Sequence, residues 1–217
     1  MSTAPTKASV TRSVDLPIEQ ARWITLKKIE WKDQEGKERT WEMAERKTRT
    51  ATTGVDAVAI LALLSGPNVP LSTVIIEQFR PPVNAYVIEL PAGLIDPKDT
   101  LESCAFRELE EETGFKAESV VEVSPLMVCD PGMTSANMKL IALRVPVSES
   151  DVDSSGSVVL PQQKLEDGEH IVRRVVELSK LKGIIDDYTS RGFVVDARLS
   201  HFISGWEMAS RLQNGLL

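Results

Sequence analysis

"RELEEETGF", residues 107–115, sets four glutamates into five consecutive positions: Glu108, Glu110, Glu111 and Glu112. The approach to it reads as a helix, because Leu101, Cys104, Ala105 and Leu109 recur at three- and four-residue spacing and form an apolar stripe. Asp99 or Thr100 offers the N-cap, with Asp99-x-x-Glu102 resembling a capping box. Thr113-Gly114 supplies the stop, since glycine takes up the left-handed turn just past a helix end. On this helix Glu108, Glu111 and Glu112 stand at i, i+3 and i+4 and share one face. Like charges at that spacing cost roughly 0.2–0.5 kcal/mol per pair, and carboxylates near a helix C-terminus also oppose its dipole. The segment therefore requires a compensating partner.

The rest of the composition narrows what that partner can be. A chain of 217 residues holds one well-cored domain with room for a small appendage, and 42% hydrophobic with 26% charged residues is the balance of an ordinary globular protein. No stretch approaches the roughly 20 apolar residues needed to cross a bilayer. The opening "MSTAPTKASVTRS" lacks the apolar core of a secretory signal and reads as a disordered tail with a faint transit-peptide composition. Its two cysteines, Cys104 and Cys129, lack metal-ligand spacing and read as reduced thiols, so a cytoplasmic location is expected, with nuclear or mitochondrial placement also compatible. A net charge of −7 argues against unaided binding to nucleic acid or anionic membrane. An anionic ligand would need a cation to mediate.

Along the chain, segments 21–31 and 38–48 flank the turn Asp33-Gln34-Glu35-Gly36 and read as a hairpin. Segments 55–64 and 73–79 are apolar and β-branched, hence buried strands, with a break at Gly66-Pro67-Asn68. Residues 85–91 read as a strand running into a glycine loop ahead of the acidic helix. Further strands are expected at 119–128, 138–147 and 170–178, a polar loop at 148–157, and helices near 180–190 and 197–212. Strands and helices mixed without regular βαβ alternation predict an α+β sandwich.

Hard carboxylate oxygens on one helical face suit Mg²⁺ or Mn²⁺ better than zinc. Mg²⁺ takes one or two carboxylates and leaves its other positions to water and substrate phosphates, so this face asks for a phosphate-bearing substrate. The alternative is a solvated acidic helix end. Gly93, Asp99, Arg107-Glu108-Leu109, Glu111-Glu112, Gly114 and Phe115 resemble the Nudix box, Gly-x5-Glu-x7-Arg-Glu-aliphatic-x-Glu-Glu-x-Gly-aliphatic, over a window of 23 residues. Asp99 departs from the family's glutamate, which predicts a weaker tether rather than loss of activity. Phe115 is a milder change in a hydrophobic slot.

Beyond the box, "RTWE" (39–42), "QFRPP" (78–82), "IELPAGLID" (88–96), "DPGMT" (130–134), "DGE" (167–169) and "VDAR" (195–198) look like the ADP-ribose/ADP-sugar pyrophosphatase branch of the superfamily. The resemblance implies a Mg²⁺-dependent homodimer that cuts ADP-ribose, a nucleotide sugar, into AMP and ribose 5-phosphate. It also implies an exchanged N-terminal β domain over residues 1–52 and an α/β/α Nudix core over 53–217. By the same resemblance Glu108, Glu112 and the Ala92 carbonyl are metal ligands, and Glu111 and Arg107 support them. Glu169 is the general base on a loop where Glu166 is its rival. Arg46 and Arg80 hold the diphosphate or its terminal ribose. Trp23 and Trp41 sandwich adenine from two subunits, with Glu42 bonding the base. Glu89 and Asp130 lie near the terminal ribose and metals. The catalytic glutamates read only a diphosphate, so other nucleoside diphosphate derivatives, such as ADP-glucose, GDP-mannose or oxidised dGDP, and a non-catalytic nucleotide sensor stay open at this point.

Overall fold

The structure is a computed structural model that describes residues 7–50 and 52–215. Two strands, β1 (Ile24–Lys32) and β2 (Glu38–Arg46), form an antiparallel hairpin. Its turn is built as the sequence predicts: the Asp33 carboxylate accepts from the Glu35 and Lys37 amides at 3.0 and 2.9 Å, and Gly36 takes φ 78°. The remaining nine strands form one mixed sheet. They are β3 (Ala57–Gly66), β4 (Val69–Arg80), β5 (Ala85–Glu89), β6 (Ala92–Leu94), β7 (Ser119–Val123), β8 (Met127–Val128), β9 (Asn137–Pro146), β10 (Ile171–Glu177) and β11 (Val194–Val195). β3 runs parallel to β9 and β11 parallel to β5, while the other pairings are antiparallel.

Helix α1 (Leu101–Thr113) packs on one face of this sheet through Cys104, Ala105 and Leu109, which meet Val58, Ile60 and Ile141 in a buried cluster. Helices α2 (Leu181–Ser190) and α3 (Ala197–Gln213) cover the other face, where Leu181, Ile185, Tyr188, Leu199 and Ile203 pack on Ile75 and Ile88. The result is the α/β/α sandwich. Strand alternation explains the division, since Val74 and Ile75 on β4 feed opposite cores. Among the described residues no helix is long and apolar enough to cross a membrane.

Several local expectations are corrected. The cap of α1 is Thr100, whose hydroxyl accepts from the Ser103 amide at 3.1 Å while Ser103 Oγ accepts from the Thr100 amide at 2.9 Å. Asp99 is drawn to Arg107 instead, so Asp99-x-x-Glu102 is not the box. The segment 119–128 is two strands, because Ser124-Pro125 interrupts it and proline cannot donate to a ladder. The glycine loop after β5 is itself the strand β6, with Val58 opposite Gly93 and Ala59 opposite Ala92. Of the N-terminal stretch, the first six residues lie outside the described ones. The part that follows is extended and tied down, with the Ala8 amide donating to Tyr86 Oη and the Val10 amide to Asn84 Oδ1.

The hairpin meets the sandwich at one edge. Ala44 bridges Thr134, the Ala44 amide donates to the Met133 carbonyl at 2.9 Å, and the Trp41 indole N–H donates to the Gly132 carbonyl at 2.8 Å. Arg49 locks the exit from β2 by a paired contact to the Asp56 carboxylate at 3.0 and 2.8 Å.

Loss of an N-cap hydroxyl costs about 1 kcal/mol, and for a chain of this size each kcal/mol moves the melting temperature by about 2–4 °C. Thr100→Ala is expected to lower the melting temperature by that amount, read by differential scanning calorimetry. Glu102→Ala, at the position of the rejected capping box, is expected to leave it unmoved within about 1 °C, the size of an ordinary surface substitution.

Candidate active site

The carboxylate face of α1 opens into a cleft of about 710 Å³. Arg107 is what allows Glu108 and Glu111 to stand together there. One of its terminal nitrogens donates to Glu108 Oε1 at 2.8 Å and to Glu111 Oε2 at 2.9 Å. The other donates to Asp99 Oδ2 at 2.9 Å, and Nε reaches the same oxygen at 3.3 Å. Burial works against the guanidinium's charge, but the bond to Asp99 and the neighbouring glutamates raise its pKa above the ordinary arginine value. The shorter Asp99 therefore still reaches its arginine, helped by Ser103 Oγ, which donates to its other oxygen at 3.1 Å. Burial opposes the Asp99 charge, yet Arg107 and Ser103 hold its carboxyl below the usual range.

Each glutamate finds its own solution. Glu110, on the opposite side of the helix, is taken by Lys164 Nζ at 2.6 Å. Glu112 is buried and accepts from the Ala92 amide at 3.0 Å, which ties α1 to β6. Glu108 lies so close to β6 that a Cβ on Gly93 would sit 1.8 Å from its carboxyl carbon, so any other residue there would push the Glu108 carboxylate aside. Burial pushes the Glu108 carboxyl up to about 7, with Arg107 pulling it down and Glu111 and Glu169 pushing it further up. Burial likewise pushes Glu112 to about 8, with the Ala92 amide opposing and the charges of Glu108 and Glu169 adding. A half-buried and a buried carboxylate whose charge lacks a full counterpart are the groups a hard divalent cation stabilises. Among the described residues no three His, Cys, Asp or Glu side chains close a metal shell by themselves. That donor set fits a cation which keeps positions for water and phosphate oxygens.

The loop after segment 161–164 brings Glu166 and Glu169 to the cleft. They form one turn: the Glu166 amide donates to Glu169 Oε2 at 3.0 Å, the Glu169 amide to the Glu166 carbonyl at 3.1 Å, and Gly168 takes φ 84°. Glu169, not Glu166, is the charge felt by both Glu108 and Glu112.

Arg46 and Arg80 line the same cleft, with Ala92 and Glu89. Arg80 is held by buried Glu89, with Nε and a terminal nitrogen each 2.7 Å from Oε2. Glu89 thus aims an arginine. Arg46 makes no hydrogen bond or ion pair among the described residues and is available to an anion.

Trp23, Trp41, Glu42 and Asp130 stand apart from the cleft lining. Trp41 sits against the Asp130–Thr134 turn through its bond to Gly132, and the carbonyl of Asp130 accepts the Met133 and Thr134 amides. Glu42 leaves β2 on the side of Arg46, because neighbouring strand residues alternate. Trp23 and Trp41 are 68% and 51% exposed. They share a hairpin face, but Trp41 pairs with Ile29 while Trp23 lies beyond the Ile24–Arg46 rung. That is a six-residue offset, about 20 Å along the ladder. A single chain does not bring them around one ring.

Sequence reasoning missed Met138, and it gave Arg198 no role although that residue closes the family-like stretch 195–198. Arg198 Nε and Nη2 are 2.7 and 2.6 Å from the Asp196 carboxylate, its Nη1 is 2.7 Å from Met138 Sδ, and both residues line the cleft. The parallel pairing of β11 with β5 carries the start of α3 there, a placement that the stretch 195–198 does not show by itself.

Residues 55–181 match the NUDIX domain model. The chain is 42% identical over 199 residues to an uncharacterized Nudix hydrolase of Schizosaccharomyces pombe, covering 92% of this chain and 93% of that protein. It is 37% identical over 191 residues to the ADP-ribose pyrophosphatase of Saccharomyces cerevisiae, covering 88% and 79%. A crystal structure of an ADP compounds hydrolase superposes with a TM-score of 0.58 at 18% identity, covering 97% of this chain and 94% of that one, and shares its fold. A family match running from β3 into α2, with the carboxylate helix at its centre, settles where this protein stands: the chain belongs to the Nudix hydrolase family.

Proposed function

We propose that the protein hydrolyses the diphosphate of ADP-ribose and related ADP-sugars, releasing AMP and, from ADP-ribose, ribose 5-phosphate. The observation that carries this reading is the joining, in one cleft, of Glu108 and Glu111, the loop acid Glu169, and the cations Arg46 and Arg80, with Glu112 buried beside them on the same helix. The named activity of the Saccharomyces cerevisiae relative supports the choice of nucleotide.

Glu108, Glu112 and the Ala92 carbonyl would hold Mg²⁺, or Mn²⁺. A divalent cation bound there supplies an acidified water and neutralises charge on the diphosphate. Arg107 keeps Glu108 and Glu111 in register. Arg46 and Arg80 grip the phosphates, and the planar fork of Arg80 is pre-set by Glu89. Glu169 takes the proton of the attacking water as its oxygen bonds to one phosphorus and the bridging P–O bond breaks. Asp130 would lie near the terminal ribose and metals, although it stands apart from the cleft lining of one chain.

The adenine platform is the hairpin, residues 1–52 forming the unit that two chains exchange. A two-stranded hairpin is marginal in water, and this one leaves Trp23, Ile24, Leu26, Ile29, Trp31 and Trp41 exposed. A second copy would cover that surface and bring one chain's Trp23 opposite the other's Trp41, with Glu42 bonding the base.

A panel of ADP-ribose, ADP-glucose, GDP-mannose and oxidised dGDP, with Mg²⁺, is expected to show the highest kcat/KM for ADP-ribose, read as release of the matching nucleoside monophosphate (AMP, GMP or oxidised dGMP). Glu112→Gln is expected to lower that turnover by several orders of magnitude. Its metal-free melting temperature should hold or rise. Because the Glu112 pKa is raised on folding from the ordinary 4.5 to about 8, this group's contribution to stability is present below about 4.5 and lost as pH climbs toward 8. The advantage of the Gln variant should accordingly grow over that window, and near-normal turnover in it would remove this face from the reaction.

Glu169→Gln is expected to lower kcat with little change in KM, since a base acts in the transition state. A larger kcat defect in Glu166→Gln would transfer the role.

For the exchanged hairpin, mixed dimers of a Trp23→Ala chain with a Trp41→Ala chain are expected to recover about half the activity, because both lesions fall in one site and the other is intact. Within-chain pairing predicts no recovery.

A further inference from the structure

The last carbonyls of a helix have no intrahelical donor and must be met from elsewhere. In α1 these belong to Glu110, Glu111, Glu112 and Thr113, in the same turn that carries the carboxylate face. The Gly114 amide meets Glu110 at 2.8 Å, and the Lys164 amide meets Glu111 at 2.9 Å. Gln163 Nε2 meets Glu112 at 2.6 Å, and Arg173 meets Thr113. Three of the four donors thus come from residues 163–173, the stretch that carries the loop acid.

Gln163 occupies a particular place among them. Its amide nitrogen also donates to the Ile171 carbonyl at 3.1 Å. One side chain therefore joins the two stems of the 164–170 loop to each other and bolts both to the backbone of Glu112. Gly114 is part of the same joint: it takes φ 78°, and a Cβ there would fall 2.6 Å from the Gln162 carbonyl and 2.8 Å from that of Pro161.

We propose that Gln163 is a positioning residue, setting the distance between Glu169 and the carboxylate face by pinning both stems of the 164–170 loop to the end of α1. The proposal rests on Glu169 being the base. Displacing a catalytic group by about 1 Å costs on the order of 100-fold in rate, so a loosened loop shows itself in turnover before it shows itself in binding.

Gln163→Met keeps the volume and removes both donors. In the full-length protein with Mg²⁺ and ADP-ribose, kcat is expected to fall about 10- to 100-fold, with KM and the Mg²⁺ concentration for half-maximal rate each held within about twofold. The decisive step is the same substitution on the Glu169→Gln background. If Gln163 acts through Glu169, the double variant is no slower than Glu169→Gln alone. Multiplying defects, a kcat unchanged by Gln163→Met, or a parallel rise in the Mg²⁺ requirement would each overturn the proposal, the last assigning Gln163 to the metal face. A Glu169→Gln variant with full turnover would show that the base is elsewhere, a failure of the functional reading separate from any defect at Gln163. Should Gln163→Met not fold, Gln163→Asn, whose shorter amide keeps one of the two bonds, carries the same cycle. Its kcat is expected to fall about 3- to 10-fold and to be insensitive on the Glu169→Gln background.

Discussion

Mutual repulsion among the glutamates of α1 is the constraint around which the active end of the molecule is organised. Arg107 answers it for Glu108 and Glu111, Lys164 for Glu110, and the Ala92 amide for Glu112. These answers are unequal. Glu110 is relieved at the surface, where such a pair contributes little to stability. Glu108 and Glu112 are relieved incompletely, and their carboxyls are pushed upward by burial and by neighbouring glutamates, Glu169 acting on both. A protein selected for stability alone would have no reason to bury them this way. Retaining a partly uncompensated charge under the sheet edge is what leaves affinity for a cation.

The sandwich supplies what the helix cannot. β6 brings Gly93 and Ala92 against Glu108 and Glu112, β4 and β5 carry the Arg80–Glu89 pair, and β10 returns the loop acid. These contacts hold the side chains of site residues, and the sheet makes them converge although they lie far apart in the chain. The hairpin remains the exception. Its contacts with the sandwich are few and confined to one edge, and its apolar residues stay in solvent.

Much of this was legible from local pattern. The stripe of Leu101, Cys104, Ala105 and Leu109 marks α1, and Gly114 ends it with φ 78°. The β-branched runs mark β3 and β4, and Asp33 with Gly36 marks the hairpin turn. What failed did so where two local options competed. Asp99 and Thr100 both qualify as caps, and Arg107, eight residues onward, draws Asp99 away. Ala92-Gly93-Leu94 reads as a loop because its pairing partner lies some 35 residues upstream, at 57–59. Convergent polar groups were the least legible. Arg198 reaches the cleft through β11, and Gln163 is an unremarkable amide until the end of α1 is seen to need a donor. The box resemblance named the carboxylates and the arginine that orients two of them, but it had no place for Lys164 or Gln163.

Gln163 and Arg173 are 51 and 60 residues from the carbonyls they meet. On the ribosome, α1 therefore emerges well before the segment that finishes its last turn. At a synthesis rate of about 5–20 residues per second, that interval lasts seconds, whereas a helix forms in about a microsecond. The nascent chain carries its glutamates on a frayed end throughout this period, and the reactive geometry is completed only when β10 threads in beside β4. Order of assembly thus keeps the catalytic face unformed until most of the sheet around it has been made.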